Sequence, residues 1–284
     1  MRALNMSEEN RTIRVRRLSD HSPDRDLVDT TPAERMGMMW QLALDAWAFI
    51  ADFRGPLQSF EKYRLMYDKK KMTWQRREYA ALVSTMDEAV GEVLARLDEL
   101  GLREKTMVVF LSDHGHSTES RANFGGGNAG PYRGCKFTLW EGGIRVPCIV
   151  SLLGRIPSGE RRDQIATSLD WFPTICRYCN VEPPKRKIDG RDITHLTESP
   201  KAQTPHDVFH WQSGKFWAVR RNNWKLVAEK KSRKSKANPA LFLSDMSKDV
   251  TESKNLADKH PQIVAELSGL HHCWVGEVLS GAGK

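Results

Sequence analysis

The residues best suited to chemistry follow a short apolar run at residues 106–111: Ser112, Asp113, His114 and Gly115. A carboxylate oxygen and a side-chain donor on consecutive residues can both face a divalent cation, and a neighbouring glycine lets the backbone approach closely. Asp–His pairs also form ordinary turns and hydrogen-bonded helix caps. The triplet Asp113–His114–Gly115 is therefore typical of a metal-binding loop or of a structural turn.

The elements on either side give this triplet a position in a fold. Apolar residues recur every three or four positions over residues 74–100, which predicts an amphipathic helix that Gly101 ends in a left-handed cap. The run at residues 106–111 then predicts a buried strand. A helix, a tight turn and such a strand indicate an α/β unit with a largely parallel sheet. Open α/β sheets bind ligands at the carboxyl ends of their strands, where Asp113 lies.

A glycine-rich segment follows at residues 124–134 and leads to Arg133 and Lys136. Its glycines do not fit a dinucleotide-binding or P-loop spacing, so neither site is predicted. The segment predicts a flexible loop that carries the basic side chains of Arg133 and Lys136. From its own context Lys136 is either a solvated loop residue or a ligand for an anion.

The remaining segments are predicted to form a strand and a helix before about residue 200, and mainly short antiparallel strands after it. Residues 146–153 predict another buried strand, and residues 164–179 predict a helix that the proline at position 173 kinks or restarts. Further on, short antiparallel strands are expected, followed by a terminal helix. These segments are residues 208–219, 224–227, 240–243 and 261–272.

The composition is that of a globular protein. The chain has 284 residues, of which 39% are hydrophobic and 28% charged, with a formal net charge of +8. Its mean hydropathy is −0.56 and no long uncharged apolar stretch occurs, so no membrane-spanning helix and no membrane partner are predicted. The first residues lack the apolar core of a secretory signal. Five scattered cysteines do not indicate a disulfide framework, and Cys176 and Cys179 are interpreted as buried thiols.

Most of the net charge lies in one tract at residues 220–236, which has eight basic residues and only Glu229 as an acidic one. The tract predicts a solvated loop between strands, or a surface that binds an acidic polymer with the help of Trp211, Trp217 and Trp224. A nucleic-acid partner is not favoured.

Residues 130–147 carry the most specific pattern in the chain. They resemble the sulfatase family, whose pattern here is RGxKxxxWEGGxRVP, and ten positions fit. Other segments are similar to the family in the same order, so the resemblance spans roughly residues 47–272. The fitting positions are Arg133, Gly134, Lys136, Trp140, Glu141, Gly142, Gly143, Arg145, Val146 and Pro147, and the other segments are residues 77–97, 112–115, 168–175, 188–192 and 224–257.

The resemblance implies an alkaline-phosphatase-like α/β fold. We expect a central, mostly parallel sheet flanked by helices, incomplete in this chain, and a small C-terminal α+β subdomain with antiparallel strands. The expected division is a poorly ordered or unrelated leader at residues 1–46, part of the α/β domain at residues 47–200 and the C-terminal subdomain at residues 201–284.

The resemblance also implies the chemistry of sulfate ester hydrolysis. In the family a cysteine or serine becomes formylglycine and attacks sulfur, while a calcium ion polarises the sulfate. Carried over, Asp113 and His114 are metal ligands and Lys136 contacts a sulfate oxygen. His116 either lines the pocket or bonds the loop backbone. Glu141 is expected to shape its turn, together with the two glycines that follow it. The expected substrate is a small-molecule or carbohydrate sulfate ester.

The sequence departs from the family at three places. No segment fits the nucleophile pattern C/S-x-P/A-x-R, so formylglycine is not encoded; the early Asp-Asp metal pair has no counterpart; and Arg54 stands where the family often has histidine. We therefore expect a truncated sulfatase with little turnover of its own. The alternatives are a non-catalytic remnant, a partner for a complementing N-terminal sulfatase half, or a polyanion-binding module. The compartment stays open, because sulfatases are often exported.

Overall fold

The computed structural model describes residues 55–119, 125–229 and 239–281. The chain divides into two compact units, residues 1–51 and 52–284, and all described residues belong to the second. The leader expected at residues 1–46, Arg54 and the basic residues from position 230 to 236 lie outside the described ranges. No helix in the described ranges is long and apolar enough to cross a membrane.

Two helices open the described part: α1 (Gly55–Asp68) and α2 (Trp74–Glu99), which pack against each other. The Thr73 side chain caps the start of α2 by accepting a hydrogen bond from a backbone N–H of the first turn. At the other end Gly101 has φ of 65°, and two backbone hydrogen bonds close a Schellman turn around it. The helix and its glycine cap are thus confirmed.

Strands β1 (Val108–Leu111) and β2 (Cys148–Ser151) form a two-stranded sheet. They pair antiparallel, with Val108 opposite Ser151 and Leu111 opposite Cys148. The expectation of a largely parallel sheet does not hold for this pair. A continuous apolar run is typical of a buried strand, but it carries no information on the direction of the neighbour. The described residues of the connection between the two strands contain one four-residue helix, α3 (Glu141–Ile144), and no long crossover helix.

Helix α4 (Trp171–Tyr178) is shorter than the helix predicted over residues 164–179. A separate turn of 3₁₀ helix at residues 168–170 precedes it, and the side chain of Asp170 closes a capping box with Thr167. Pro173 sits in the first turn of α4, where its missing N–H has no intrahelical partner to lose. The proline therefore permits the start of a helix here, as the sequence indicated, and Cys176 is buried within that helix.

Strands β3 (Val208–Ser213), β4 (Phe216–Arg221), β5 (Trp224–Glu229) and β6 (Ala240–Asp245) form an antiparallel sheet in that order. A short helix, α5 (Thr194–Glu198), precedes the sheet. The predicted antiparallel strands of the C-terminal part are therefore confirmed. The terminal helix α6 (Pro261–Gly281) begins where it was predicted and continues nine residues beyond position 272.

Each face of this sheet packs against a different segment of the chain. On one face Val219, Leu226 and Leu243 pack against Leu267 of α6. On the other face Ala218 and Val227 pack against Leu139 and Trp140, just before α3. Alternate residues of a strand point to opposite faces, so β5 contacts both partners at once. The segment that carries the sulfatase-like pattern therefore rests directly on the C-terminal sheet.

Candidate functional site

The Asp113–His114 pair forms a compact turn at the end of β1. Asp113 Oδ1 accepts a hydrogen bond from the His114 backbone N at 3.0 Å, and Asp113 Oδ2 lies 3.0 Å from His114 Nε2. The other ring nitrogen, His114 Nδ1, is 2.9 Å from the Gly115 carbonyl oxygen. The Asp113 side chain is 81% exposed. Both interpretations from the sequence, a structural turn and a pair of ligands open to solvent, are compatible with this geometry.

Gly115 brings this turn against α3. Its backbone N donates to the Gly143 carbonyl oxygen at 3.0 Å. A Cβ at position 115 would lie 1.9 Å from the carbonyl oxygen of Gly142, a distance that no side chain tolerates. Only glycine fits there, so the close backbone approach expected of the third residue of the triplet is present.

The backbone of Lys136 lies beside the same turn. The Lys136 N donates to the His116 carbonyl oxygen at 2.9 Å, which joins the glycine-rich segment to the strand-end loop. Its Nζ is 3.2 Å from Glu119 Oε2 and 4.9 Å from the centre of the Phe137 ring. Phe137 has φ of 71°, an unusual conformation for a bulky residue that marks a tight turn at this point. The structure thus brings the backbones together and gives the lysine amine an acidic partner.

Glu119 is the site residue that sequence reasoning missed. It lies in a polar stretch outside the sulfatase-like pattern, and its Oε2 also accepts a hydrogen bond from Ser117 Oγ at 3.1 Å. No local spacing links position 119 to position 136, so no signal in the sequence could have found it.

The backbone carbonyl of His116 accepts the hydrogen bond from Lys136, while the two roles expected for its side chain stay predictions. Its side chain packs under Gly127, where an added Cβ would lie 2.4 Å from the His116 Cβ. Its Nδ1 is buried and makes no hydrogen bond within the described ranges.

The side chain of Arg133 contacts residues of the C-terminal part of the chain. Its guanidinium carbon lies 3.7 Å from the centre of the Trp140 ring and 4.9 Å from that of Phe242. Its Nη1 donates to the Glu252 carbonyl oxygen at 3.0 Å. A guanidinium that contacts two aromatic rings and donates to a carbonyl is a fixed structural group. Arg133 therefore anchors the loop, three residues before Lys136.

A buried ionic cluster lies beneath α3. Lys225 Nζ is 2.9 Å from Glu141 Oε1 and 2.8 Å from Glu252 Oε1, and Glu252 Oε2 accepts from the Glu141 backbone N at 2.7 Å. The side chains of Lys225 and Glu252 are fully buried and that of Glu141 is 5% exposed. Burial raises the pKa of the Glu252 carboxyl, and Lys225 opposes that rise.

This cluster corrects the interpretation of the basic tract. Lys225 was counted among the tract's basic residues, but it is buried and paired with two carboxylates. Arg220 Nη1 lies 3.9 Å from Glu141, and burial lowers the pKa of its guanidinium. Arg221 pairs with Glu266 of α6. Lys225 and Arg220 thus belong to the interior of the fold, and Arg221 pairs with an acidic side chain at its surface. The sequence did not show this, because the acidic partners come from distant segments.

Asp170 joins two further segments of the sulfatase-like pattern. Its carboxylate accepts hydrogen bonds from the backbone N of Thr167 at 2.7 Å, from that of Arg191 at 2.8 Å, and from His206 Nε2 at 2.8 Å. Residues 168–175 and 188–192 therefore meet at one buried carboxylate. Their role in the described structure is to build the scaffold.

A calcium ion takes six to eight oxygen ligands, at about 2.4 Å. The described ranges contain no group of three or more histidine, cysteine, aspartate or glutamate side chains placed to hold a metal. Asp113 and His114 offer two neighbouring donor atoms, one of them a nitrogen. They fit part of a coordination shell and do not complete one.

The comparison with known families shows what this part of the chain is similar to. Residues 51–181 match the family model described as Sulfatase. Two curated relatives are steryl-sulfatase of Mus musculus, 40% identical over 154 residues, and N-acetylgalactosamine-6-sulfatase of Canis lupus familiaris, 35% identical over 160 residues. The alignments cover 52% and 54% of this chain but 25% and 29% of those relatives. The sulfatase match thus spans about a quarter of their length.

The solved structures give the same fold. The crystal structure of Ps i-CgsB in complex with k-i-k-neocarrahexaose superposes with a TM-score of 0.63 and 22% sequence identity. The match covers 78% of this chain and 48% of that one. The described part of the sulfatase-like chain therefore has part of an alkaline-phosphatase-like α/β fold, as the resemblance implied.

Proposed function

We propose that this chain supplies part of the site of a sulfuric ester hydrolase. Lys136 binds a sulfate oxygen, and Asp113 and His114 contribute to a divalent-cation site, calcium by family resemblance. The observation that supports this most directly is the 2.9 Å hydrogen bond from the Lys136 N to the His116 carbonyl oxygen, which joins the anion-binding loop to the Asp113 turn.

The chemistry of Lys136 follows from its partner. Its side chain is 17% exposed and its ammonium already faces the Glu119 carboxylate. An ammonium has three donor hydrogens, so it can bond the carboxylate and a sulfate oxygen together. Glu119 would then orient the amine, while the anion takes another of its donor hydrogens. A cation held by Asp113 would polarise the ester when bound.

The nucleophile is not supplied by this sequence, since no position fits C/S-x-P/A-x-R. Within the proposal the chain binds and orients a sulfate group, and attack on sulfur needs a group from elsewhere. The substrate class we propose is a small-molecule or carbohydrate sulfate ester. Two curated relatives are named steryl-sulfatase and N-acetylgalactosamine-6-sulfatase, and one solved neighbour was crystallised with k-i-k-neocarrahexaose.

Binding of inorganic sulfate and hydrolysis of an aryl sulfate test the proposal together. We expect wild-type protein to bind sulfate weakly and to hydrolyse little, and Lys136→Met to weaken sulfate binding about tenfold, since one charged hydrogen bond is lost. Lys248→Met, which removes an exposed lysine paired with Asp245, is the matched control. Equal binding by wild type and Lys136→Met would refute the role of Lys136.

An exposed apolar surface favours a second candidate, a chain that works with a complementing sulfatase half. We propose that this partner covers the outer side of α2, where large apolar side chains reach solvent. Such a surface is more typical of an interface than of a solvated helix. These side chains are Leu82, Val83, Met86 and Val93, which are 40–52% exposed.

Mixing experiments decide this candidate. A separate polypeptide carrying an N-terminal sulfatase region with the C-x-P-x-R motif should co-purify with this chain and yield sulfatase activity. Leu82→Glu should prevent both, because it places a charge within the apolar surface. Glu92→Gln, at an exposed position in the same helix, is the control. Activity that never appears on mixing would leave only a non-catalytic remnant.

A further inference from the structure

The buried ionic cluster of Glu141, Lys225 and Glu252 has a composition that folding alone does not require. Removing three ionisable groups from water is costly, and an apolar trio of the same volume is often at least as stable. Sequence neighbours do not explain the cluster either, since its members come from α3, from β5 and from the segment after β6. What the charges provide is a fixed geometry between those three segments.

One path leads from Lys225 to the Asp113 turn. Its Nζ holds the Glu141 carboxylate at 2.9 Å, and Glu141 begins α3. The next two residues of α3 are the glycines that face Gly115. The Gly143 carbonyl oxygen accepts from the Gly115 N at 3.0 Å. A displacement of Glu141 therefore moves the surface against which the metal-binding turn rests.

A second path leads from Lys225 to the anion-binding lysine. Lys225 fixes Glu252, whose carbonyl oxygen accepts from Arg133 Nη1 at 3.0 Å. The Arg133 carbonyl oxygen in turn accepts from the Gly142 N at 2.6 Å. Arg133 is therefore held at both ends, only three residues before Lys136. Glu252 occupies a left-handed conformation with φ of 51°, which glycine would adopt more readily, so this position accepts backbone strain to place a carboxylate.

We propose that Lys225 is a positioning residue for the sulfate site: from the C-terminal sheet it fixes α3 and the Arg133 loop, and through them the relative placement of the Asp113 turn and Lys136. The inference deepens the function proposed above and rests on it for the identity of the ligand. The ammonium of Lys225 makes no contact with the anion. Its effect is on how well the two loops are held before the anion arrives.

Hydrogen exchange of backbone amides tests the positioning directly, without any need for turnover. In Lys225→Met two carboxylates lose their shared cation, with Arg145 and Arg220 left at 3.6 and 3.9 Å from Glu141. We expect the amides of Gly115, Lys136 and Gly142 to exchange at least tenfold faster. Amides of the β4–β5 ladder, such as that of Val219, should keep their protection. A merely structural role would loosen the sheet to the same extent.

Two further variants keep the test decisive if Lys225→Met fails to fold. Glu252→Gln preserves shape and an acceptor for the Glu141 N but removes a charge that Lys225 holds, so it should speed exchange at the same three amides. Lys225→Arg keeps a cation between the carboxylates and should restore most of the protection. Lys248→Met is the exposed control and should change nothing.

Sulfate binding provides the second readout. We expect Lys225→Met and Glu252→Gln to weaken sulfate binding at least fivefold while Lys136 is intact. Unchanged exchange at Gly115 and Lys136 in a folded Lys225→Met or Glu252→Gln protein would overturn the inference. If wild-type protein binds no sulfate, the proposed function fails, but the exchange pattern still decides whether Lys225 positions the two loops.

Discussion

Gly115 and Gly142 meet so closely that a methyl group on Gly115 would lie 1.9 Å from the Gly142 carbonyl oxygen. One glycine ends the candidate metal turn, and the other lies in the helix that follows the loop of Lys136. The contact is backbone against backbone, so neither side can yield by rotating a side chain. This pair sets how near the two loops can come.

Gly115→Ala should therefore destabilise the protein. The added methyl has to push the turn away from α3, and we expect a loss of at least about 2 kcal/mol in the free energy of unfolding, as for overpacking in a rigid site. Denaturant unfolding measures it. Gly91→Ala is the matched control, because Gly91 lies within α2 with nothing within 4 Å of its Cβ position. That change should stabilise by about 0.5–1 kcal/mol. Equal effects of the two substitutions would contradict the close approach.

Asp170→Asn should cost about 2–4 kcal/mol in the free energy of unfolding, because it changes a buried group with three donors around it. An amide has one oxygen acceptor and one NH₂ donor group. The NH₂ group would therefore face at least one of the donors of Thr167, Arg191 and His206, and that hydrogen bond would be lost. Thermal or denaturant unfolding gives the value. Asp163→Asn, at an exposed carboxylate paired with Arg161, should change stability by less than about 0.5 kcal/mol. A small effect at Asp170 would argue against its hydrogen-bond network.

Arg133→Lys should behave as a severe substitution despite keeping the charge. Lysine lacks the planar group that contacts Trp140 and Phe242, and its reach to the Glu252 carbonyl oxygen differs. We expect a loss of about 1–3 kcal/mol in the free energy of unfolding. Arg161→Lys, at an arginine with a mainly exposed side chain, is the control and should be neutral. If both variants unfold like the wild type, Arg133 does not anchor the loop.

Stability should fall as the pH drops below about 6.5. Burial lowers the pKa of His271 to about 4, with repulsion from His210 and His272 as smaller causes. The folded state thus favours the neutral ring, so its contribution is complete above the unfolded pKa of about 6.5 and is lost as the pH falls toward 4. The full effect corresponds to about 3 kcal/mol. Burial also lowers the pKa of His210, which adds to the loss in the same direction.

Unfolding measured from pH 7.5 to 4.5 checks this dependence. His271→Gln removes the titrating ring next to Gln212 and should flatten the curve over that range. His195→Gln, at an exposed ring that bonds the Gln203 carbonyl oxygen, should leave the curve unchanged. A wild-type curve that is already flat would contradict the shift at His271.

The sequence predicted the elements whose signals are local. The apolar period of α2, its glycine cap and the short strands of the C-terminal sheet all follow from residues within a few positions of one another. The direction of β2 relative to β1 could not be predicted in this way, because an apolar run looks the same in a parallel and an antiparallel pair. The domain boundary placed near residue 200 stays a prediction.

In the candidate site, too, only the residues with a local sequence signal could be predicted. Its sulfatase-like segments predicted Asp113, His114 and Lys136, and the structure joins the loops that carry them through the hydrogen bond from the Lys136 N to the His116 carbonyl oxygen. Their roles as ligands and as an anion contact stay predictions. The partners Glu119 and Lys225 could not be predicted, because each pairing depends on how distant segments fold together. Lys225 was even assigned to a charged surface, since its neighbours in the sequence are basic while its neighbours in space are Glu141 and Glu252.

The shared lysine at the centre of the buried cluster also constrains how this protein can evolve. Losing Lys225 first leaves two carboxylates facing each other in the interior, and losing either glutamate first leaves an ion pair beside an unfilled space. Single steps toward an apolar trio therefore pass through less stable intermediates. Lineages that descend from this chain should keep Glu141, Lys225 and Glu252 together or replace them together. Covariation of these three positions, rather than conservation of any one of them, is the signature to seek in its homologues.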